Sequence, residues 1–358
     1  MANKAAPDQK AGEAAANPLE FHVYGPRSLS STSWRDLLSS SWKNSSYRRM
    51  VIACFIQGAY LLELDRQENR DGGTALAPQW WRPFKYRLAK PLVDDRDGSI
   101  YGAVLEWDHQ AALSGFVPFR PARAPAAVVV LRGTVLRAPT VRRDVADDLR
   151  FLAWESLKGS VRFPGALAAL RDAARRFGAG HVCVGGHSLG AGFALQVGRA
   201  LAKEGVCVEC HVFNPPSVSL AMSLRGFGEL LGRARAWIPF VGGSSQSQQA
   251  AGDAGGESEA RAALAQTGMG KWLPYLYINT NDYVCCYYTD TAGGTATVAT
   301  DGGGKAGGGV ATMLVVSKGP SKFLAAHGLE QWWADDVEMQ VALNHSKLIG
   351  RQLCSLYA

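Results

Sequence analysis

His181-Val182-Cys183-Val184-Gly185-Gly186-His187-Ser188-Leu189-Gly190-Ala191 is the stretch on which the reading of this chain turns. Residues 181–185 are short, apolar and β-branched, which predicts a buried strand. Residues 191–204 carry Phe193, Leu195, Val197 and Leu201 at helical spacing among small residues, which predicts a helix. Between them stands G-x-S-x-G with Ser188 at its centre. Strand, G-x-S-x-G and helix together form the context in which a serine stands on a sharp turn as a nucleophile. Gly186 and Gly190 let the strand and helix approach each other there. The Ser188 hydroxyl then projects at a helix N-terminus, whose dipole favours developing negative charge. The bare pattern also fits a Gly-rich turn with no chemistry, and it is the flanking strand and helix that favour the nucleophile.

Outward from this turn, strands and helices alternate. Residues 126–131 are a continuous β-branched run, the mark of a strand buried on both faces, and end in Arg132-Gly133-Thr134. Helices are predicted near 142–158 and 162–177. Residues 206–213 predict a strand closed by Asn214-Pro215-Pro216. Residues 273–279 predict a late strand leading into Thr280-Asn281-Asp282. Strand character returns at 310–317, and residues 329–353 read as largely helical. Upstream, 99–107 alternates toward a strand, and Trp80-Trp81-Arg82-Pro83-Phe84 reads as core packing. A strong helix is predicted over 48–66, its charged end Glu63-Leu64-Asp65-Arg66 marking an exit to solvent. A shorter helix starting near Ser33 carries Trp34, Leu37, Leu38 and Trp42. This order implies an α/β class with a mostly parallel sheet and helices on both faces.

Residues 219–241 are apolar with scattered arginines, and fit cap helices, a membrane-contacting face or core packing. Gly-rich tracts near 242–268 and 291–309 are expected to be flexible insertions, and residues 1–20 a flexible tail. The remainder, 21–358, is expected to form one domain.

Composition narrows the function classes. The 358 residues are 47% hydrophobic and 19% charged, ordinary for a globular protein. A net charge of +7 is a mild excess. It gives no reason to expect a nucleic-acid partner, and fits a solvated face, with peripheral contact to an anionic membrane as the alternative. The seven cysteines are odd in number and mostly sit in apolar runs, as reduced core thiols do. No secretory signal opens the chain, and the longest apolar run, 50–62, is too short to span a bilayer. These features imply an intracellular, cytoplasmic protein. Cys207-Val208-Glu209-Cys210-His211 has the spacing of a haem attachment or half a zinc site. It lacks a second ligand pair and reads as an alternating strand, so neither metal nor cofactor is expected.

Three blocks, Arg132-Gly133-Thr134, Gly186-His187-Ser188-Leu189-Gly190 and Val212-Phe213-Asn214-Pro215-Pro216, resemble the successive motifs of class 3 lipases. The fuller pattern is similar to a plant family of class 3-like hydrolases. Its hallmarks here include residues 21–27, 60–69, 148–160 and 326–333. Members often carry a GDSL esterase/lipase label, although the serine block here is G-H-S-L-G after a strand. The resemblance covers most of the chain outside the tail and the Gly-rich tracts. It implies an α/β-hydrolase fold and hydrolysis of acyl esters in lipids. A lipase-like binding module without turnover, and an acyltransferase, remain as alternatives.

That resemblance also implies residue roles. A serine nucleophile needs a histidine to take its proton and a carboxylate to orient that histidine. In this fold their order is serine, acid, histidine. Asp282 follows a late strand and is the first choice of acid; Asp290 is the second. Only His327 and His345 follow Asp282. His327 precedes Gly328 in a block resembling the terminal histidine block of plant class 3 lipases, whereas His345 falls in the expected helix. The oxyanion hole is expected from the backbone N–H of Leu189 and from Thr134, where similar lipases use serine or threonine. Asp148 matches an aspartate that supports that loop in the family, or is a charge on a helix surface.

Overall fold

The computed structural model describes residues 17–27, 40–117, 119–134, 161–216, 272–282, 284–285, 310–334 and 336–346. The expected helices near Ser33 and 142–158, segment 219–241, both Gly-rich insertions, Asp148 and Asp290 lie outside these residues. The tail does so up to residue 16.

Among the described residues, eight strands form one sheet in sequence order: β1 Tyr86–Val93, β2 Ile100–Trp107, β3 Ala127–Leu131, β4 Val182–His187, β5 Glu209–Phe213, β6 Tyr275–Asn279, β7 Val310–Ser317 and β8 Met339–Ser346. Strands β3 to β7 run parallel, while β1, β2 and β8 pair antiparallel at the two ends. The protein therefore has an α/β fold with a mixed, mostly parallel sheet. β1 carries no expectation from the sequence. It is an edge strand containing Lys90 and Pro91, with register breaks after Leu88 and Leu92, devices that blunt an edge against further pairing.

The helices are α1 Phe21–Tyr24, α2 Ser45–Gln67, α3 His109–Ser114, α4 Arg162–Phe177, α5 Leu189–Lys203 and α6 Phe323–His327. The side chains of β3 alternate between two cores. Ala127, Val129 and Leu131 pack in the layer that holds α4 and α5. Val128 and Val130 pack in the layer that holds α2 and the Trp80, Trp81 and Phe84 cluster. Every β3 residue is buried, so a run of β-branched residues, rather than an alternating one, is what this strand needs. None of the described helices is long and apolar enough to cross a membrane.

Two expectations are corrected. α2 starts where Asn44 accepts hydrogen bonds from Ser46 N and Tyr47 N, and it exits to solvent only from Arg66 onward, not at Glu63 or Asp65. Glu63 and Asp65 are buried. Glu63 accepts from Arg66, Gln67 and Ile100 N, and Asp65 from Arg70, Leu76 N and Ala77 N. Backbone amides distant in sequence take the place of water there. Second, the described part of 329–353, residues 329–334 and 336–346, is not largely helical: a short turn at Glu330–Trp332 leads to β8, which pairs with β7 from Ser317 to Val310. His345 accordingly lies on a strand, opposite Ala311.

Candidate active site

Parallel strands bring their C-terminal ends to one edge of the sheet, where ligand crevices of α/β folds form. Leu131 is in register with Gly186, His187 with Phe213, and Phe213 with Tyr277. The segments after these positions carry Gly133, Ser188, Asn214 and Asp282.

Ser188 joins β4 to α5 with φ 53° and ψ −125°, a conformation that costs a non-glycine residue about 1–3 kcal/mol. Neighbouring groups hold it there. Its N–H donates to Phe213 O at 2.9 Å, and its carbonyl accepts from Ala191 N at 2.9 Å. Its hydroxyl does not cap α5, so the serine is not spent on helix capping. The turn is tight: a methyl on Gly186 would stand 2.2 Å from Gly190 O, and one on Gly190 2.3 Å from Leu131 O. Both neighbours are backbone and cannot swing away. Gly190→Ala is therefore expected to destabilise by about 3 kcal/mol or more, which a denaturant titration would read. A change under half that size would mean that β3 and α5 can separate.

The loop after β3 lies against this serine. A methyl on Gly133 would come within 2.9 Å of Ser188 Cβ. Arg132 fixes the loop by donating from Nε to Ile100 O at 2.6 Å and from Nη1 to Gly133 O at 2.7 Å. Thr134 is half-buried beside it. Leu189 is the first residue of α5, where helix geometry leaves the leading N–H groups without an intrahelical acceptor.

His327 ends α6 and lies beside Asp282. His327 Nδ1 donates to Asp282 Oδ2 at 2.8 Å. The same carboxylate oxygen accepts from Asn214 Nδ2 at 2.6 Å and from the Cys285 thiol at 3.3 Å, and Oδ1 accepts from Val284 N at 3.0 Å. Burial alone would raise the Asp282 pKa. The His327 charge and the hydrogen bonds from His327, Asn214 and Val284 outweigh it, and hold the carboxyl below its ordinary value. An ionised Asp282 fixes the proton of His327 on Nδ1 and leaves Nε2 able to accept one.

Asn214 braces the pair. Its φ is 47°, and its Nδ2 also donates to Ala326 O at 3.0 Å while its Oδ1 accepts from Trp332 Nε1 at 2.7 Å. Gln331 Nε2 donates to the same Ala326 carbonyl, and Asn279 Nδ2 donates to Gln331 Oε1 at 2.8 Å. The residues before and after His327 are therefore tied to β5 and β6.

Of the sequence candidates, the structure joins Asp282 and His327 directly and sets the Arg132–Thr134 loop, Ser188 and Leu189 side by side. It links Ser188 to His327 through the intervening His187, whose Nε2 donates to the His327 carbonyl at 2.7 Å. Asn214, Tyr60, His187, Cys285 and Trp332 belong to the same network and carried no assigned role in the sequence reading. Asn214 had a local signal, an Asn-Pro-Pro stop at a strand end. Tyr60 opens the family block 60–69, but nothing in that block assigned it a role. His211 is elsewhere, stacked on Tyr275 at 4.7 Å and bonded to Glu209 and Tyr277. Among the described residues, no three His, Cys, Asp or Glu side chains converge as metal ligands, and no disulfide joins two cysteines.

No protein-family model matches the chain. It is 30% identical over 353 residues to an Arabidopsis thaliana protein named GDSL esterase/lipase, an alignment spanning 92% of this chain and 98% of that one. Identity at that level along nearly the whole of both chains is family resemblance rather than a shared motif, and the chain belongs to the esterase/lipase family of that Arabidopsis protein.

Proposed function

We propose that the protein is a serine hydrolase of carboxylic esters with lipid-like acyl groups, built on an α/β-hydrolase fold of the class 3 lipase type. The observation that carries this reading is the buried His327–Asp282 hydrogen bond at 2.8 Å, on the same sheet edge as a strained serine between strand and helix. The name of the Arabidopsis relative supports ester hydrolysis. The serine block supports the α/β-hydrolase reading, because no Gly-Asp-Ser-Leu segment occurs in the chain.

In this mechanism His327 Nε2 removes the Ser188 proton as Oγ attacks the ester carbonyl. The tetrahedral oxyanion forms against the Leu189 N–H and the Thr134 backbone and hydroxyl. His327 then protonates the leaving alcohol, and Ser188 carries the acyl group. Water, deprotonated by His327, releases the acid and restores the serine. Asp282 stays ionised and stabilises the imidazolium. The route uses protein groups and water alone. The substrate arrives from a lipid phase or its surface, through peripheral contact rather than insertion of the protein.

The test is exposure of the full-length protein to a fluorophosphonate probe, followed by p-nitrophenyl esters of graded chain length and by acylglycerols. Labelling at Ser188 and ester turnover are expected. A protein that binds acyl lipids without labelling or turnover would instead be a binding module.

Thr134→Val checks the oxyanion assignment. A full donor is worth about 10²–10³ in rate, and this variant removes the hydroxyl while keeping the backbone N–H. A fall in kcat at constant KM and constant melting temperature is expected. A change confined to KM would make Thr134 a lining residue of the substrate site.

A further inference from the structure

We infer that Tyr60 and His187 are positioning residues, a hydrogen-bonded relay that holds the Arg132–Thr134 loop, the serine turn and the backbone of His327 in one register; the inference rests on the serine-hydrolase reading above. Three contacts carry it. Gly133 N donates to Tyr60 Oη at 2.8 Å. Tyr60 Oη meets His187 Nδ1 at 2.8 Å. His187 Nε2 meets the His327 carbonyl at 2.7 Å.

The directions of these bonds follow from the groups. A carbonyl only accepts, so His187 Nε2 carries a proton. A neutral imidazole then has a bare Nδ1, which accepts from the Tyr60 hydroxyl. Tyr60 in turn accepts from Gly133. Every proton points the same way, from the loop to the base. The His187 ring is buried and neutral: burial first, then the charge of His327, pushes its pKa down to about 3. Burial likewise raises the pKa of the Tyr60 hydroxyl, which keeps its proton.

The geometry gives the relay its purpose. Gly133 precedes Thr134, and a methyl on Gly133 would touch both Tyr60 Oη, at 2.7 Å, and Ser188 Cβ, at 2.9 Å. His187 directly precedes Ser188. The third anchor is the backbone of the base itself. Tyr60 comes from α2, on the sheet face opposite α5, so it fixes the site from an element that contributes no reacting group. Displacements near 1 Å can cost about 10² in rate, which is enough to make such a brace matter.

Tyr60→Phe removes only the hydroxyl. It leaves Gly133 N–H and His187 Nδ1 without their partner, while the His327 carbonyl still holds the His187 proton on Nε2. The expected result is a kcat lower by about 10-fold or more per fluorophosphonate-titrated site, with KM unchanged. Long-range ¹H–¹⁵N NMR of the histidine rings, recorded without substrate, is expected to show wild-type His187 neutral with its proton on Nε2, and in Tyr60→Phe the same tautomer with a shifted Nδ1 resonance, its hydrogen bond lost. A merely structural tyrosine would lower the melting temperature without lowering the per-site kcat.

Should Tyr60→Phe fail to fold, His187→Gln and His187→Phe replace it. Gln keeps one acceptor and one donor, and is expected to retain more kcat than Phe, which keeps only the ring. Equal rates in the two, wild-type per-site kcat in Tyr60→Phe, or a wild-type His187 with its proton on Nδ1 would each overturn the relay. If the wild-type protein is never labelled, the hydrolase reading fails, and the tautomer measurement still decides the relay.

Discussion

Ser188→Ala is expected to abolish fluorophosphonate labelling and to lower kcat by about 10⁶, the scale on which a serine–histidine–carboxylate unit fails when its nucleophile is lost. The same variant should fold as well as the wild type. The Ser188 hydroxyl caps no helix, and the backbone bonds of the turn, to Phe213 O and from Ala191 N, survive the change. Stability and activity therefore separate at this position. Ser188→Gly sharpens the point. Glycine adopts φ 53° without the penalty of a side chain, so this variant should melt higher while remaining inactive. Intact-protein mass spectrometry reads the probe adduct, and calorimetry reads stability. An adduct that persists in Ser188→Ala, or one-tenth of the wild-type rate, would place the nucleophile elsewhere.

The serine turn was legible because its signals are local. A β-branched run, two glycines and a helical spacing all fall within 24 residues, and β4 and α5 form where those signals lie. Asp282 was legible as a position, the first carboxylate after a late strand. Its environment was not, because its partners Asn214 and His327 are 68 and 45 residues away. Tyr60 is farther still, 127 residues from His187, and only the packing of α2 on the sheet brings them together.

Elsewhere, local preference misled. Met339-Gln340-Val341-Ala342-Leu343 is built largely of good helix formers, yet it is a strand, because pairing with all eight residues of β7 outweighs weak intrinsic propensities. At the end of α2, acidic side chains suggested solvent. Sequence alone does not show whether a carboxylate will meet water or a buried amide such as Ile100 N.

His327→Ala should be as inactive as Ser188→Ala, and His345→Ala should be close to wild type. The two histidines are the ones that follow Asp282 in the chain, and their settings differ. His327 is buried, with Nδ1 on the carboxylate, whereas His345 sits on β8 opposite Ala311. Because nucleophile and base act as one unit, the double variant Ser188→Ala/His327→Ala should lose no more than either single variant, about 10⁶, rather than the product of the two. Asp282→Asn should lose less, about 10⁴, since the histidine remains but its tautomer is no longer enforced. An amide at position 282 also sets one NH₂ against another, because Asn214 Nδ2 already donates to Oδ2 at 2.6 Å. Removing the His327 ring takes one hydrogen-bond donor from a fully buried carboxylate, which costs about 1–3 kcal/mol. The three remaining donors, from Asn214, Val284 and Cys285, reduce that cost. Rates must therefore be taken per folded molecule, with the folded fraction read by circular dichroism at the assay temperature. A folded His327→Ala with near-wild-type kcat, beside an inactive folded His345→Ala, would transfer the base to β8 and leave the Asp282–His327 pair as a structural brace.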